Sequence, residues 1–289
     1  MSTSDARLRR RLRATDVLLP GQTMWFLGDS VSVQHERAFA CRLHDELAAR
    51  TGRSVRLQVQ PELRLAHNQS VNPQGRWCAR THCVQVDAWR TCYVQAGGMC
   101  FWHDDVHAMA TRLVNAKSKL GERVVRRGDV IVVNEGLHLH KCCSLSAQLD
   151  RLRGFALLRE PNSTLGLAAR RGIRFLWRET SPQHFAGSPD GHYNATTRRC
   201  TRHKCKYNRC APLEQPARSA HADQTLQLIE AAGLPVVRIW EPTVAQWSEH
   251  VELRSPYAST RDSIDCTHFC EPSVAVEAWN DATLEALKP

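Results

Sequence analysis

Several things are missing from this sequence, and each absence narrows what the chain can be. No apolar run approaches the roughly eighteen residues that span a bilayer, so no membrane-crossing helix is expected. No low-complexity block and no internal repeat occurs, which sets aside solenoids, propellers and fibrous arrays. Among twelve cysteines there is no Cys-x-x-Cys pair, which speaks against the common zinc modules. Cys200, Cys205 and Cys210 with His203 come nearest to a ligand spacing, and no metal is expected. Acidic residues are the minority, 29 Asp and Glu against 39 Lys and Arg, for a formal charge of +10. The excess is mostly scattered arginine and is not interleaved with aromatics in one module, so nucleic acid is not the expected partner. Such a distribution reads as a solvated surface, or as steering for an anionic partner such as an acidic glycan or a phosphate-bearing acyl donor. The basic stretch from Met1 to Arg13 lacks the apolar core that would make it a signal peptide.

What is present is a globular composition, 42% apolar and 24% charged, over 289 residues, enough to bury a sizeable core. Residues 1–20 read as a basic lead-in closed by Pro20-Gly21, and 21–289 as one domain. Apolar runs with strand character recur at Thr23–Leu27, Ser54–Gln60, Val130–Val133, Ile173–Trp177 and Val236–Trp240. Between them lie helical spacings at 32–50, 103–120, 145–158, 220–232 and 274–287. Val55, Leu57 and Val59 alternate as in a strand with one covered face, whereas Val130–Val133 is β-branched throughout, as in a central parallel strand. Strands alternating with helices predict a doubly wound, mostly parallel sheet with helices on both faces. Two cysteine-bearing segments, about 61–98 and 186–218, read as irregular insertions on its rim.

The first chemical signal is Gly28-Asp29-Ser30, where an apolar run meets a small turn and a helix begins. That arrangement holds a serine hydroxyl before unpaired backbone N–H groups and the positive end of a helix dipole, where an acyl oxyanion would be stabilised. The same tripeptide is also ordinary turn chemistry. The second signal is Asp265-Cys266-Thr267-His268. A serine needs an imidazole to take its proton and a carboxylate to fix that imidazole, and a spacing of three puts both on one side of a helical turn. Taken without Ser30, this stretch reads as a surface loop held by its cysteines.

Four blocks in order carry a family resemblance: Gly28-Asp29-Ser30-Val31-Ser32 leading to Cys41-Arg42-Leu43; Asp129 to His138 with Asn134 at its strand end; Arg178-Glu179-Thr180-Ser181-Pro182-Gln183-His184-Phe185; and Asp265-Cys266-Thr267-His268-Phe269-Cys270 through Trp279-Asn280. Together they resemble the SGNH (GDSL) hydrolase superfamily and, within it, the PC-esterase branch with the trichome birefringence-like polysaccharide O-acetyltransferases. The chain departs from that branch after the GDS, with Val33-Gln34-His35 in place of Arg-Asn-Gln. The resemblance implies an SGNH-like three-layer α/β/α fold. It also implies a triad of Ser30, His268 and Asp265. Gly28, Asp29, Asn134 and Gly136 support the oxyanion; Gly97 and Gly98 are order-based candidates for a further glycine. His138, Arg178 and His184 are expected to contact substrate, and His184 is the weaker rival to His268 as base because no carboxylate lies at a short fixed spacing.

On this reading the chain is an O-acetyltransferase that passes an acetyl group from acetyl-CoA or another acetyl donor, through Ser30, to a polysaccharide or glycan hydroxyl. The alternatives are a carbohydrate or lipid acetylesterase with the same triad and a non-catalytic glycan-binding domain displaying Trp77, Trp89 and Trp102. An even cysteine count clustered in loops predicts disulfides formed in an oxidising compartment. Asn68, Asn162 and Asn194 head N-glycan acceptor patterns. Both suit the Golgi lumen or secretory pathway. The lack of a signal peptide is reconciled with this if an anchor lies upstream.

Overall fold

The computed structural model describes residues 12–60, 81–95, 106–118, 120–135, 145–186, 188, 199–201, 204–206, 210–214, 216, 218, 220–251 and 265–288. Gly97, Gly98, Trp77, Trp102, Gly136 and His138 lie outside them, as does most of the segment 186–218. The described helices are α1 Ala14–Val17, α2 Ser30–Thr51, α3 Val106–Asn115, α4 Leu145–Leu152, α5 Thr164–Arg170, α6 Ala220–Ala231, α7 Trp240–Thr243 and α8 Val274–Ala286. The strands are β1 Thr23–Gly28, β2 Leu57–Gln60, β3 Thr81–Val86, β4 Trp89–Gln95, β5 Val130–Val133, β6 Arg174–Arg178, β7 Arg199–Thr201, β8 Lys204–Lys206 and β9 Val236–Val237.

Seven strands form one sheet in the order β2-β3-β4-β1-β5-β6-β9. β1 runs parallel to β4 and β5, β5 to β6 and β6 to β9, while β2-β3 and β3-β4 are antiparallel. Strands this central are covered on both faces, which is why β1 and β5 are buried at every position and run apolar through Met24–Leu27 and Val130–Val133 rather than alternating. Trp25, Leu27, Ile131 and Val133 face a core shared with α3, α5 and α6. Met24, Phe26, Val130 and Val132 face one shared with α1, α2 and α8. The result is the expected three-layer α/β/α arrangement with a mostly parallel sheet. At the base of the sheet, buried Asp129 joins β1 to β5 by accepting from the Thr23 N–H at 2.9 Å, Trp25 Nε1 at 3.1 Å and the Arg126 N–H at 2.9 Å.

Two expectations are corrected. The stretch 81–95, read as irregular insertion, is the hairpin β3-β4, and β4 lies directly beside β1. Its turn places Asp87 at φ 51°, a left-handed conformation that the short polar aspartate tolerates. The disulfide Cys83–Cys92 joins residues directly opposite in the ladder, so these cysteines mark a strand pair rather than a loop. Conversely β2, expected to have a covered face, lies at the sheet edge with Leu57 46% and Val59 67% exposed. Within 186–218, the described pieces include the small β7-β8 hairpin. No helix among the described residues is long and apolar enough to cross a membrane.

Candidate active site

The parallel strands deliver their C-terminal ends to one edge, where an open α/β sheet builds its sites. β1 ends at Gly28, Asp29 caps α2 by accepting the Val31 N–H at 3.0 Å, and Ser30 is the first helical residue. Gly28 is required by space: a Cβ there would stand 2.2 Å from Ser32 Oγ and 2.7 Å from the Asn134 carbonyl. The Ser30 side chain is half-buried, at the N-terminus of a 22-residue helix whose dipole favours negative charge there.

From the far end of the chain, the turn 265–270 brings His268 to the serine. His268 Nε2 lies 2.8 Å from Ser30 Oγ, and its Nδ1 lies 2.7 Å from Asp265 Oδ2. With Nδ1–H donating to the carboxylate, Nε2 is left as acceptor for the serine proton. The other carboxylate oxygen accepts the Thr267 N–H at 2.9 Å and the His268 N–H at 3.0 Å, so Asp265 both shapes the turn and orients the ring. Burial alone would push the Asp265 carboxyl up; the His268 hydrogen bond and charge and the two backbone donors outweigh it and hold it at about 2.

Almost every residue of this turn is tied to a different part of the molecule. Cys266 is bonded to Cys210 and its carbonyl accepts the His184 N–H at 3.1 Å. Thr267 Oγ1 accepts from Gln183 Nε2 at 2.7 Å. The His268 carbonyl accepts the Val251 N–H at 3.0 Å and His250 Nδ1 at 2.9 Å. Gln34, one helical turn beyond Ser30, grips Phe269 at both ends: its Oε1 accepts the Phe269 N–H at 3.1 Å and its Nε2 donates to the Phe269 carbonyl. Phe269 itself stacks on His250 at 4.0 Å and meets the edge of Trp279 at 5.4 Å, which puts Trp279 beneath the turn as expected.

Three expected roles do not fit the geometry. Arg178, expected to meet substrate, is 1% exposed. Its guanidinium reaches back to the Val31 carbonyl at 3.4 Å and Ser32 Oγ at 3.3 Å and lies over Trp279, bracing the start of α2 from below. Burial pushes it down to about 10, against the opposing charge of Asp29. His184 is fully buried, with Nδ1 2.6 Å from His250 Nε2 and Nε2 2.9 Å from the Val244 carbonyl, so it reaches neither substrate nor Ser30. Asn134, expected to offer its side-chain amide to the oxyanion, has Nδ2 engaged with the carbonyls of Arg178 at 3.0 Å and Glu179 at 3.3 Å. The Ser30 backbone N–H has no hydrogen-bond partner among the described residues and stands at the N-terminal end of α2. Gln34, Gln183 and His250 were not foreseen. Gln183 stood inside a recognised block, but nothing in the sequence marks Gln34 or His250.

Among the described residues no group of three or more His, Cys, Asp or Glu is placed to hold a metal. No protein-family model matches the chain, and no curated protein matches it. Among solved structures it is similar to a "putative GDSL-like lipase" from Parabacteroides merdae, at 13% identity and a TM-score of 0.35, over 94% of this chain and 98% of that one. A likeness that distant carries no weight for fold or chemistry. Ser30, His268 and Asp265 stand in hydrogen-bonded sequence at the edge of the sheet.

Proposed function

We propose that this chain is a serine-dependent acyl-transfer enzyme in which Ser30 is the nucleophile. The observation that carries the proposal is the unbroken run Ser30 Oγ, His268, Asp265 at 2.8 and 2.7 Å, drawn from opposite ends of the sequence. The Ser30 hydroxyl attacks the ester carbonyl while His268 Nε2 takes its proton, and Asp265 steadies the imidazolium that forms. The tetrahedral oxyanion is received by the Ser30 N–H at the positive end of α2. His268 then returns the proton to the leaving oxygen, and an acceptor hydroxyl, deprotonated in turn by His268, releases the acyl group.

The class of acceptor separates an esterase from a transferase. The four sequence blocks that resemble the PC-esterase branch favour an O-acetyltransferase, with acetyl-CoA or another acetyl donor and a polysaccharide or glycan acceptor. The positive charge of +10 suits an anionic glycan or donor, and the disulfides Cys83–Cys92 and Cys210–Cys266 suit the Golgi lumen or secretory pathway. Partition of the acetyl group from a chromogenic acetyl ester, followed with and without a panel of glycans, tests the finer reading. Acetylated glycan formed faster than free acetate supports the transferase. Release to water regardless of glycan makes the chain an esterase, and no turnover with retained glycan binding makes it a binding domain.

A further inference from the structure

His184 and His250 form a buried pair that the acyl-transfer chemistry does not use. Three contacts run through it in line: Val244 carbonyl to His184 Nε2 at 2.9 Å, His184 Nδ1 to His250 Nε2 at 2.6 Å, and His250 Nδ1 to the His268 carbonyl at 2.9 Å. The two outer partners are carbonyl oxygens, which only accept, so His184 Nε2 and His250 Nδ1 must each carry a proton to bond them. A neutral imidazole has one proton. When both rings are neutral and both outer bonds are made, the central contact sets two lone pairs against each other; when the central bond is made instead, an outer one is lost. One added proton resolves the conflict, giving N–H···N in the middle and N–H···O at either end.

We propose that His184 and His250 act as a proton-linked clamp on the turn carrying His268: the pair takes up one shared proton, and only then are all three bonds from Val244 to His268 closed. The clamp reaches the base through its own carbonyl and through Phe269, on which His250 stacks at 4.0 Å. His184 and His250 are thus positioning residues, and the consequence for turnover rests on the acyl-transfer reading, whereas the shared proton does not. The proton comes from solvent and leaves the pair with a single positive charge. From the turn, the charge of Asp265 favours that proton and the charge of His268 opposes it. Glu249 is turned to the Ala275 N–H at 2.8 Å, and beside Phe269 α2 places the neutral Gln34 and α8 places Trp279. Burial pushes His184 below the ordinary imidazole value. Burial and the charge of His184 push His250 further, to about 3, and that mutual repulsion opposes a second proton on the pair.

The direct test is long-range proton–nitrogen NMR of the imidazoles in labelled protein carrying Ser30→Ala, followed from about pH 9 to about pH 4, the window of histidine titration. His184→Asn and His250→Asn spectra assign the two rings. The expected result is one proton for two rings, both shifting together at a single midpoint. Separate titration to one proton each overturns the clamp, as do two neutral tautomers throughout the range in folded protein. The Ser30→Ala spectra decide this even where the asparagine variants fail to fold. A parallel pH–rate profile with an acetyl ester is expected to lose one ionisation in His250→Asn. An unchanged profile removes the kinetic role, and absence of any wild-type turnover removes the acyl-transfer reading while leaving the NMR result to judge the shared proton.

Discussion

Ser30 and His268 meet at 2.8 Å, but they are held by opposite kinds of structure. Ser30 is placed by its neighbours in sequence: strand β1, the Gly28 turn, the Asp29 cap and helix α2 fix it within one continuous unit. His268 sits in an irregular turn that no helix or strand of its own supports. Its position is the sum of ties to Cys210, Gln183, His250, Val251 and Gln34. A nucleophile on a strand–turn–helix is robust because every local preference agrees. A base on a clamped turn is adjustable, because each tie is a separate place where geometry can be lost without unfolding the domain.

The widest break of that comparison removes the chemistry from both sides at once. Ser30→Ala and His268→Ala are each expected to lower acetyl-ester turnover by at least about 10³-fold. Both should keep the wild-type circular dichroism; Ser30→Ala should also keep the melting transition, whereas His268→Ala should melt lower, because Asp265 loses the partner that holds its carboxyl down. Next in size is the covalent tie on the turn. Replacing Cys210 and Cys266 together by serine is expected to cost about 2–4 kcal/mol in denaturant unfolding and to lower kcat. On the Ser30 side the disulfide Cys83–Cys92 ties β4 to β3 and does not touch the nucleophile's own turn, so reduction should affect the position of the base before that of the nucleophile.

Acid sharpens the same contrast. The Asp265 carboxyl is held at about 2 against an ordinary 3.8, so its stabilising share is full above about pH 4 and is lost as pH falls through about 2. The share is on the order of 2 kcal/mol. The difference in stability between wild type and Asp265→Asn should therefore shrink over that window, as thermal melts at stepped pH would record. The smallest effect belongs to the strap between the two regions. Gln34→Ala removes both bonds to Phe269, with an expected cost of about 1–2 kcal/mol. It should lower kcat while leaving KM nearly unchanged, because Gln34 sets the distance between Ser30 and His268 rather than touching substrate. A raised KM with unchanged kcat would instead place Gln34 in a binding role.

The same division explains what could be read from the sequence. β1, β5 and the Ser30 turn were legible because an all-apolar run and a short capping residue state their structure locally. Asp265 and His268 were legible because three residues separate them. The β3-β4 hairpin was not: cysteines suggested a loop, whereas Cys83 and Cys92 face each other across a ladder. Arg178, His184 and Asn134 stand in the right blocks but turn inward, since a buried polar residue near a strand end leaves the same mark in sequence as one aimed at substrate. Gln34 meets Phe269 across 235 residues, and that kind of pairing exists only once the fold does.

Intact mass and peptide mapping of the protein, quenched early in its reaction with an acetyl ester, report on the nucleophile itself. An acetyl group on Ser30, absent in Ser30→Ala and longer-lived in Asp265→Asn, is the predicted result. Undiminished turnover in Ser30→Ala, with no acetyl on that peptide in the wild type, would contradict the account.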